Sequence, residues 1–198
     1  MKVEIDGKLL HIIEGSNERV KDYIDFMNRL SQDPDNYTLS RYSKIDEQKI
    51  IEWSKSWGKS TIMILAYNDS KVVGFFQATR GKYFGLERQF HIAEIAYAVD
   101  KEFRGKGLIY VLFNEAIKRL ENVKILTAWV DERNLRSRKL LIKLGFEEAC
   151  KINEFIYSQI EKTFCNLIMY VGYINMVKAK LEEELAKRNY DLYEEYLY

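Results

Sequence analysis

The stretch DKEFRGKGLIYVLF, Asp100 to Phe113, sets two glycines and two cations directly ahead of an amphipathic helix pattern. Where a strand hands over to a helix, the first amide N–H groups have no partner inside the helix and carry the positive end of its dipole. An anion suits that position. Gly105 and Gly107 would let an oxygen approach the backbone with no Cβ in the way, and Arg104 and Lys106 add charge. Two common phosphate loops do not fit: G-x-x-x-x-G-K-[ST] is absent, and G-x-G-x-x-G would need glycine where Tyr110 stands. A turn with a purely structural purpose is the alternative.

Just upstream, HIAEIAYAV reads as a strand, and alternation sets Glu94 on one face with Ile92, Ala96 and Ala98. A carboxyl in such apolar company would have its pKa raised toward neutrality, as a general base requires. The competing reading is a surface carboxylate, or one paired with a nearby Lys or Arg. His11 and His91 lie far apart with no nucleophile beside them, so histidine chemistry is not expected. Cys150 and Cys165 sit in no C-x-x-C or metal-ligand spacing. Neither a disulfide framework nor a metal site is predicted, and both cysteines read as small core residues.

The elements that must position these groups follow from periodicity. KVEI and KLLHII flank Asp6-Gly7, a favoured hairpin turn. After Ser16 and Asn17, residues Val20, Tyr23, Ile24, Met27 and Leu30 recur at helical spacing, and a second helix is predicted over Asp46 to Trp57 with Gly58 as its stop. TIMILAY and KVVGFFQATR form a hairpin, GKYFGLERQF is a connection or a substrate-side loop, and HIAEIAYAV is the third central strand. A helix then begins near Gly107. KILTAWV, a short helical run ending at Gly145, and two strands around Phe155–Tyr157 and Asn166–Tyr173 follow. This is a mixed α+β chain around one sheet. Residues 1–176 are predicted to form the domain and 177–198 an appended helix. In that helix Val177, Leu181 and Leu185 recur every fourth residue and Tyr190, Tyr193, Tyr196 and Tyr198 add an aromatic stripe. The stripe packs on its own domain or serves as a homodimer contact.

Composition narrows the partners. Thirty-one Lys plus Arg against 30 Asp plus Glu leave a formal charge of +1 on 198 residues, so no global field favours nucleic acid or anionic lipid. The N-terminus alternates and is charged, unlike a signal peptide, and no apolar run reaches the roughly 18 residues of a membrane span. The expected setting is the cytoplasm, and the expected partner is small.

The run AEIAYAVDKEFRGKG, followed by Asn134, Ser137 and KLGF, resembles the GNAT N-acetyltransferase superfamily, especially its ribosomal-protein-type branch. That family's turn follows [QR]-x-x-G-x-[GA] and grips the pyrophosphate of acetyl-CoA. Arg104 and Gly107 match the first and fourth positions, whereas Ile109 stands where Gly or Ala is usual.

The resemblance implies a GNAT-type fold with a mixed sheet, splayed between HIAEIAYAV and KILTAWV and flanked by helices. Acetyl-CoA is implied as cosubstrate, its phosphates on Arg104, Gly105, Lys106, Gly107, Leu108 and Ile109. Its pantetheine arm would lie against the free backbone of Ala98 and Val99, like a strand added to an open edge. Asn134 is either an N-cap or a contact to that arm, or both. Glu94 is implied as the base. Many members carry a tyrosine in Y-x-K-x-G-F as the acid, but Leu141 occupies that position, leaving Ser137, or more weakly Tyr97, to donate to the departing thiolate. The expected activity is acetyl transfer to a primary amine in a ternary complex, without a metal. A CoA-binding domain without turnover, or an interaction protein working through its terminal helix, are the competitors.

Overall fold

The structure, a computed structural model, describes residues 1–188 and 190, with the backbone alone at 192 and 193. β1 (Lys2–Ile5) and β2 (Lys8–Glu14) pair about the Asp6-Gly7 turn, where both residues have positive φ, 54° and 71°. A short 3-10 turn leads into α1 (Val20–Leu30), which buries Tyr23, Ile24, Phe26, Met27 and Leu30. α2 (Glu47–Ser54) is shorter than predicted. Asp46 is its N-cap, accepting from the Lys49 amide at 3.1 Å, and the chain leaves the helix before Trp57. β3 (Thr61–Asn68) and β4 (Lys71–Arg80) are buried almost throughout because helices cover both faces. A single turn, α3 (Leu86–Gln89), interrupts the next connection before β5 (Ile92–Val99).

α4 (Leu108–Ile117) and β6 (Ile125–Asp131) complete a crossover, followed by α5 (Leu135–Lys143), β7 (Glu147–Ser158) and β8 (Thr163–Tyr173). β7 is much longer than the few residues expected around Phe155. It is an edge strand with almost every residue exposed, so burial imposes no apolar alternation on EEACKINE. α6 (Ile174–Ala186) starts directly off β8 and ends at Ala186, shorter than the terminal helix anticipated. Its Val177 and Leu181 are buried in the main core, with α6 lying on α4. Tyr193 belongs instead to β9 (Leu192–Tyr193), which pairs with the open edge of β1. Tyr196 and Tyr198 lie outside the described residues.

The sheet order is β7-β8-β6-β5-β4-β3-β2-β1-β9. Its one parallel pair is β5–β6, joined only at Ile92↔Ile125, Ala93↔Leu126 and Glu94↔Thr127. Beyond Glu94 the two strands part, and Ile95 to Val99 have no partner on that side while β6 runs on beside β8. This is the splayed sheet. One core lies between the sheet and α4, α5 and α6; a second, smaller one lies under α1 and α2, built on Tyr23, Phe26, Trp57 and Phe75.

Candidate active site

The glycine turn sits where β5 ends. Gly105 and Gly107 have φ of 75° and 92°, a region open to glycine, and no side chain caps α4. A Cβ on Gly105 would meet nothing within 4 Å, whereas one on Gly107 would fall 1.7 Å from the Tyr190 hydroxyl. While Tyr190 lies against Gly107, Gly105 is open and the first residues of α4 have no side-chain cap.

They face a cleft of about 390 Å³. Its walls come from both faces of the sheet: Leu30 and residues 35–38 from beyond α1, and Asn134, Ser137, Lys139 and Leu140 from α5 and its cap. Tyr97, Ala98, Val99, Arg104, Gly105, Gly107, Leu108 and Ile109 line it between them. Of the cofactor-site residues expected from sequence, Lys106 alone is not on this wall. Its Nζ turns to Asp6 at 2.5 Å, because the β1–β2 turn lies on the other side of the glycine turn. Arg104 is on the wall but largely committed: its Nε donates to the Val99 carbonyl at 2.9 Å, one terminal nitrogen pairs with Asp33, and the other is buried without a partner. It braces the turn against β5 and the segment after α1.

Glu94 stands apart from this wall. Strand alternation puts it on the face opposite Tyr97, and its side chain is 12% exposed. The apolar company expected for it is not what the fold builds. Ala96 is exposed on the same face, and both carboxylate oxygens have donors from the connection before β5: Lys82 Nζ at one and the Tyr83 hydroxyl at the other. Trp129 Nε1 donates to the Tyr83 oxygen at 2.9 Å, and the Trp129 ring stacks on Phe155 at 4.8 Å. Desolvation, then the hydrogen bond to Glu94, push the Tyr83 hydroxyl up to about 12. Lys82, Tyr83 and Trp129 belong to no motif in the sequence; the aromatic richness of GKYFGLERQF signals the first two, and nothing signals Trp129.

On the other face, the hydroxyls of Tyr97 and Ser137 share a hydrogen bond at 2.5 Å, with Tyr97 stacked parallel to Phe76. Burial raises the Tyr97 pKa, so this phenol stays protonated at neutral pH. Asn134 caps α5, its Oδ1 accepting from the Ser137 amide at 3.1 Å, and it also lines the cleft. Leu141 is fully buried in the main core, while Leu140 and Ser137 present α5 to the cleft. Ile109 is half-buried and narrows the wall where a smaller residue would widen it.

Acetyl-CoA fits these residues in three respects. The head of α4 is uncapped, the turn's backbone is bare at Gly105, and a nitrogen of Arg104 is buried with no partner beside it. Among the described residues no group of His, Cys, Asp and Glu is arranged to hold a metal ion, and no helix is long and apolar enough to cross a membrane.

A split mixed sheet with an uncapped glycine turn opening onto the split is the arrangement that the resemblance to acetyl-CoA-dependent acyltransferases implied. The sequence model of the acetyltransferase (GNAT) family matches residues 24–146, and the chain belongs to that family. Among solved structures, a GNAT-family acetyltransferase from Streptococcus pneumoniae aligns with a TM-score of 0.69 at 21% identity, over 83% of this chain and 99% of that one. The ribosomal-protein-alanine N-acetyltransferase of Brucella melitensis gives 0.68 at 19%, over 82% and 99%. A phosphinothricin acetyltransferase from Sinorhizobium meliloti, in complex with acetyl-CoA, gives 0.67 at 14%, over 83% and 88%. At these identities the likeness is one of fold. No curated protein sequence matches the chain.

Proposed function

We propose that this protein transfers an acetyl group from acetyl-CoA to a primary amine, whether a protein N-terminus, a lysine or a small amine, within one ternary complex. The observation that carries this reading is the cleft that begins at the uncapped head of α4 and is walled from both faces of the sheet where β5 and β6 part. Bound acetyl-CoA would supply the activated thioester. The amides from Gly105 to Ile109 would bind its phosphates, and the unpaired edge of β5 near Ala98 and Val99 would bind its amide-bearing arm.

Two proton tasks remain for side chains. Glu94, at the split and on the opposite face, accepts the proton that the amine loses, with Lys82 and Tyr83 fixing its orientation. The Tyr97–Ser137 pair donates a hydrogen bond toward the leaving sulfur. A thiol near a reference pKa of about 8.5 lies below a tyrosine near about 10, so full proton transfer from Tyr97 would run uphill by at least roughly 2 kcal/mol. Hydrogen bonding is the role assigned. An α-amine costs about 1 kcal/mol to deprotonate at pH 7 and a lysine about 4.6, so an α-amine asks less of Glu94.

Saturating acetyl-CoA should raise the melting temperature, and release of free thiol with a panel of amines and N-terminal peptides should follow. No shift with any acyl-CoA rejects the reading. Cofactor binding without turnover is the second reading, favoured by Leu141 in the core and by the donors already on Glu94; a shift without thiol release selects it. We infer a cytoplasmic setting: Cys165 is buried as expected, but Cys150 is exposed on the edge strand β7, and such a free thiol stays reduced there.

A further inference from the structure

One end of the cleft is not explained by the glycine turn. Beyond Gly107 it is bounded by Lys143 of α5 and by Arg188, just past the end of α6. Both are held by one carboxylate. Glu184, with a side chain 4% exposed, pairs with Lys143 at 2.6 Å and Lys187 at 2.8 Å and lies 3.7 Å from Arg188. Three cations therefore gather about this one anion.

Arg188 and Lys143 also converge on Tyr110, with the guanidinium carbon 4.6 Å and the ammonium 5.9 Å from its ring centroid. Arg188 Cδ lies 3.1 Å from the position a Cβ on Gly107 would take, so this side chain runs directly beside the turn. Its Nε is buried with no partner, while the side chain as a whole is 30% exposed. A guanidinium with donors to spare, clamped between a buried carboxylate and an aromatic ring at a cleft mouth, has the makings of a phosphate ligand.

We propose that Arg188 and Lys143 bind a phosphate of the cofactor, so that the cofactor site extends to Arg188, just past α6. This rests on the acetyl-CoA reading above. The diphosphate and the ribose 3′-phosphate offer the same chemistry, dianionic oxygens for a fork of N–H donors. Glu184 touches no ligand and acts as a positioning residue that sets both cations.

The test is the dissociation constant of CoA, 3′-dephospho-CoA and pantetheine for the wild type, Arg188→Gln and Lys143→Gln, with each variant's melting temperature recorded. Loss of one charge-assisted hydrogen bond should weaken CoA binding by roughly 10- to 100-fold. Loss confined to CoA assigns the 3′-phosphate, and loss shared by CoA and 3′-dephospho-CoA assigns the diphosphate; pantetheine is unaffected in either case. Arg188→Lys should recover part of the affinity. Equal weakening of pantetheine, unchanged binding, or tighter binding of CoA by Arg188→Gln overturns the proposal. A wild type that binds none of the three overturns the cofactor reading itself, and this proposal falls with it.

Discussion

Glu94 takes its two donors from Lys82 and Tyr83, residues that precede its own strand, and stands outside the wall of the cleft proposed for the cofactor. Its replacement should therefore separate chemistry from binding. Glu94→Gln should lower kcat by about 10²–10⁴, the range of a lost general base, and leave the acetyl-CoA dissociation constant unchanged. A parallel loss in both would remove the assignment. A different residue reports on the frame around the site. Asp131, its side chain 1% exposed, accepts from the Tyr42 hydroxyl at 2.9 Å and pairs with Arg133 at 2.7 Å, tying the segment after α1 to the end of β6. Burial works to raise its carboxyl pKa, but hydrogen bonds from the Arg133 side chain and amide and from Tyr42 outweigh it and hold the carboxyl below its usual value. A depressed pKa stabilises the fold above the unfolded value, about 3.9, and that contribution is lost as pH falls through the folded value. Melting temperature should drop below about pH 4 in the wild type, with a shallower slope in Asp131→Asn. Asp131→Ala, which strands Tyr42 and Arg133, should cost about 2–3 kcal/mol at neutral pH.

Among the elements, the ones proposed to hold the cofactor were written in local signals. Asn134 before a helical run and two glycines after a strand name their own conformations, and both appear as read: an N-cap at 3.1 Å and a turn with φ of 75° and 92°. Lys106 turns from the cleft toward Asp6, a partner contributed by the N-terminal hairpin and so not visible in the turn's own letters. Lys82, Tyr83 and Trp129 escaped for the same reason, since Lys82 and Tyr83 meet Glu94, and Trp129 meets Tyr83, only once separate segments are folded together. The length of β7 and the end of α6 were lost on other grounds: an exposed edge strand carries no burial pattern, and a terminal helix can give way to strand pairing wherever an edge lies open. The turn itself can be tested by stability. Gly107→Ala forces an L-residue into the left-handed region, at about 1–2 kcal/mol, and drives a methyl into the Tyr190 hydroxyl. For a chain of this size the backbone part alone should lower the melting temperature by roughly 2–8 °C. Adding Tyr190→Phe should return some of any loss beyond that, because it removes the atom that would lie 1.7 Å away.

At the scale of the whole molecule, the sheet is nearly two sheets. One part runs from β5 to β9 through the N-terminal strands and the other comprises β6, β7 and β8, and between them stand three residue pairs of a parallel ladder. Features that limit how far the parts can drift include the one core that α4, α5 and α6 share across both, and Asp131, which fastens the end of β6 to the segment after α1. The stretch from Ile95 to Val99 is consequently paired on one side only, with partners on β4. Backbone groups in that position open more easily than those bonded on both sides. A ligand whose amides complete the ladder should close them. Acetyl-CoA at about 100 times its dissociation constant should add about 2.7 kcal/mol of stability, but a ligand bound anywhere would do the same. The location is what hydrogen exchange can read. Protection should rise at the amides between Ile95 and Val99 and at those from Gly105 to Ile109, and change little in β7, which lies beyond β8 from the split. Slowed exchange spread evenly over the chain would mean global stabilisation without a bridge, and the cleft between β5 and β6 would then not be where the cofactor lies.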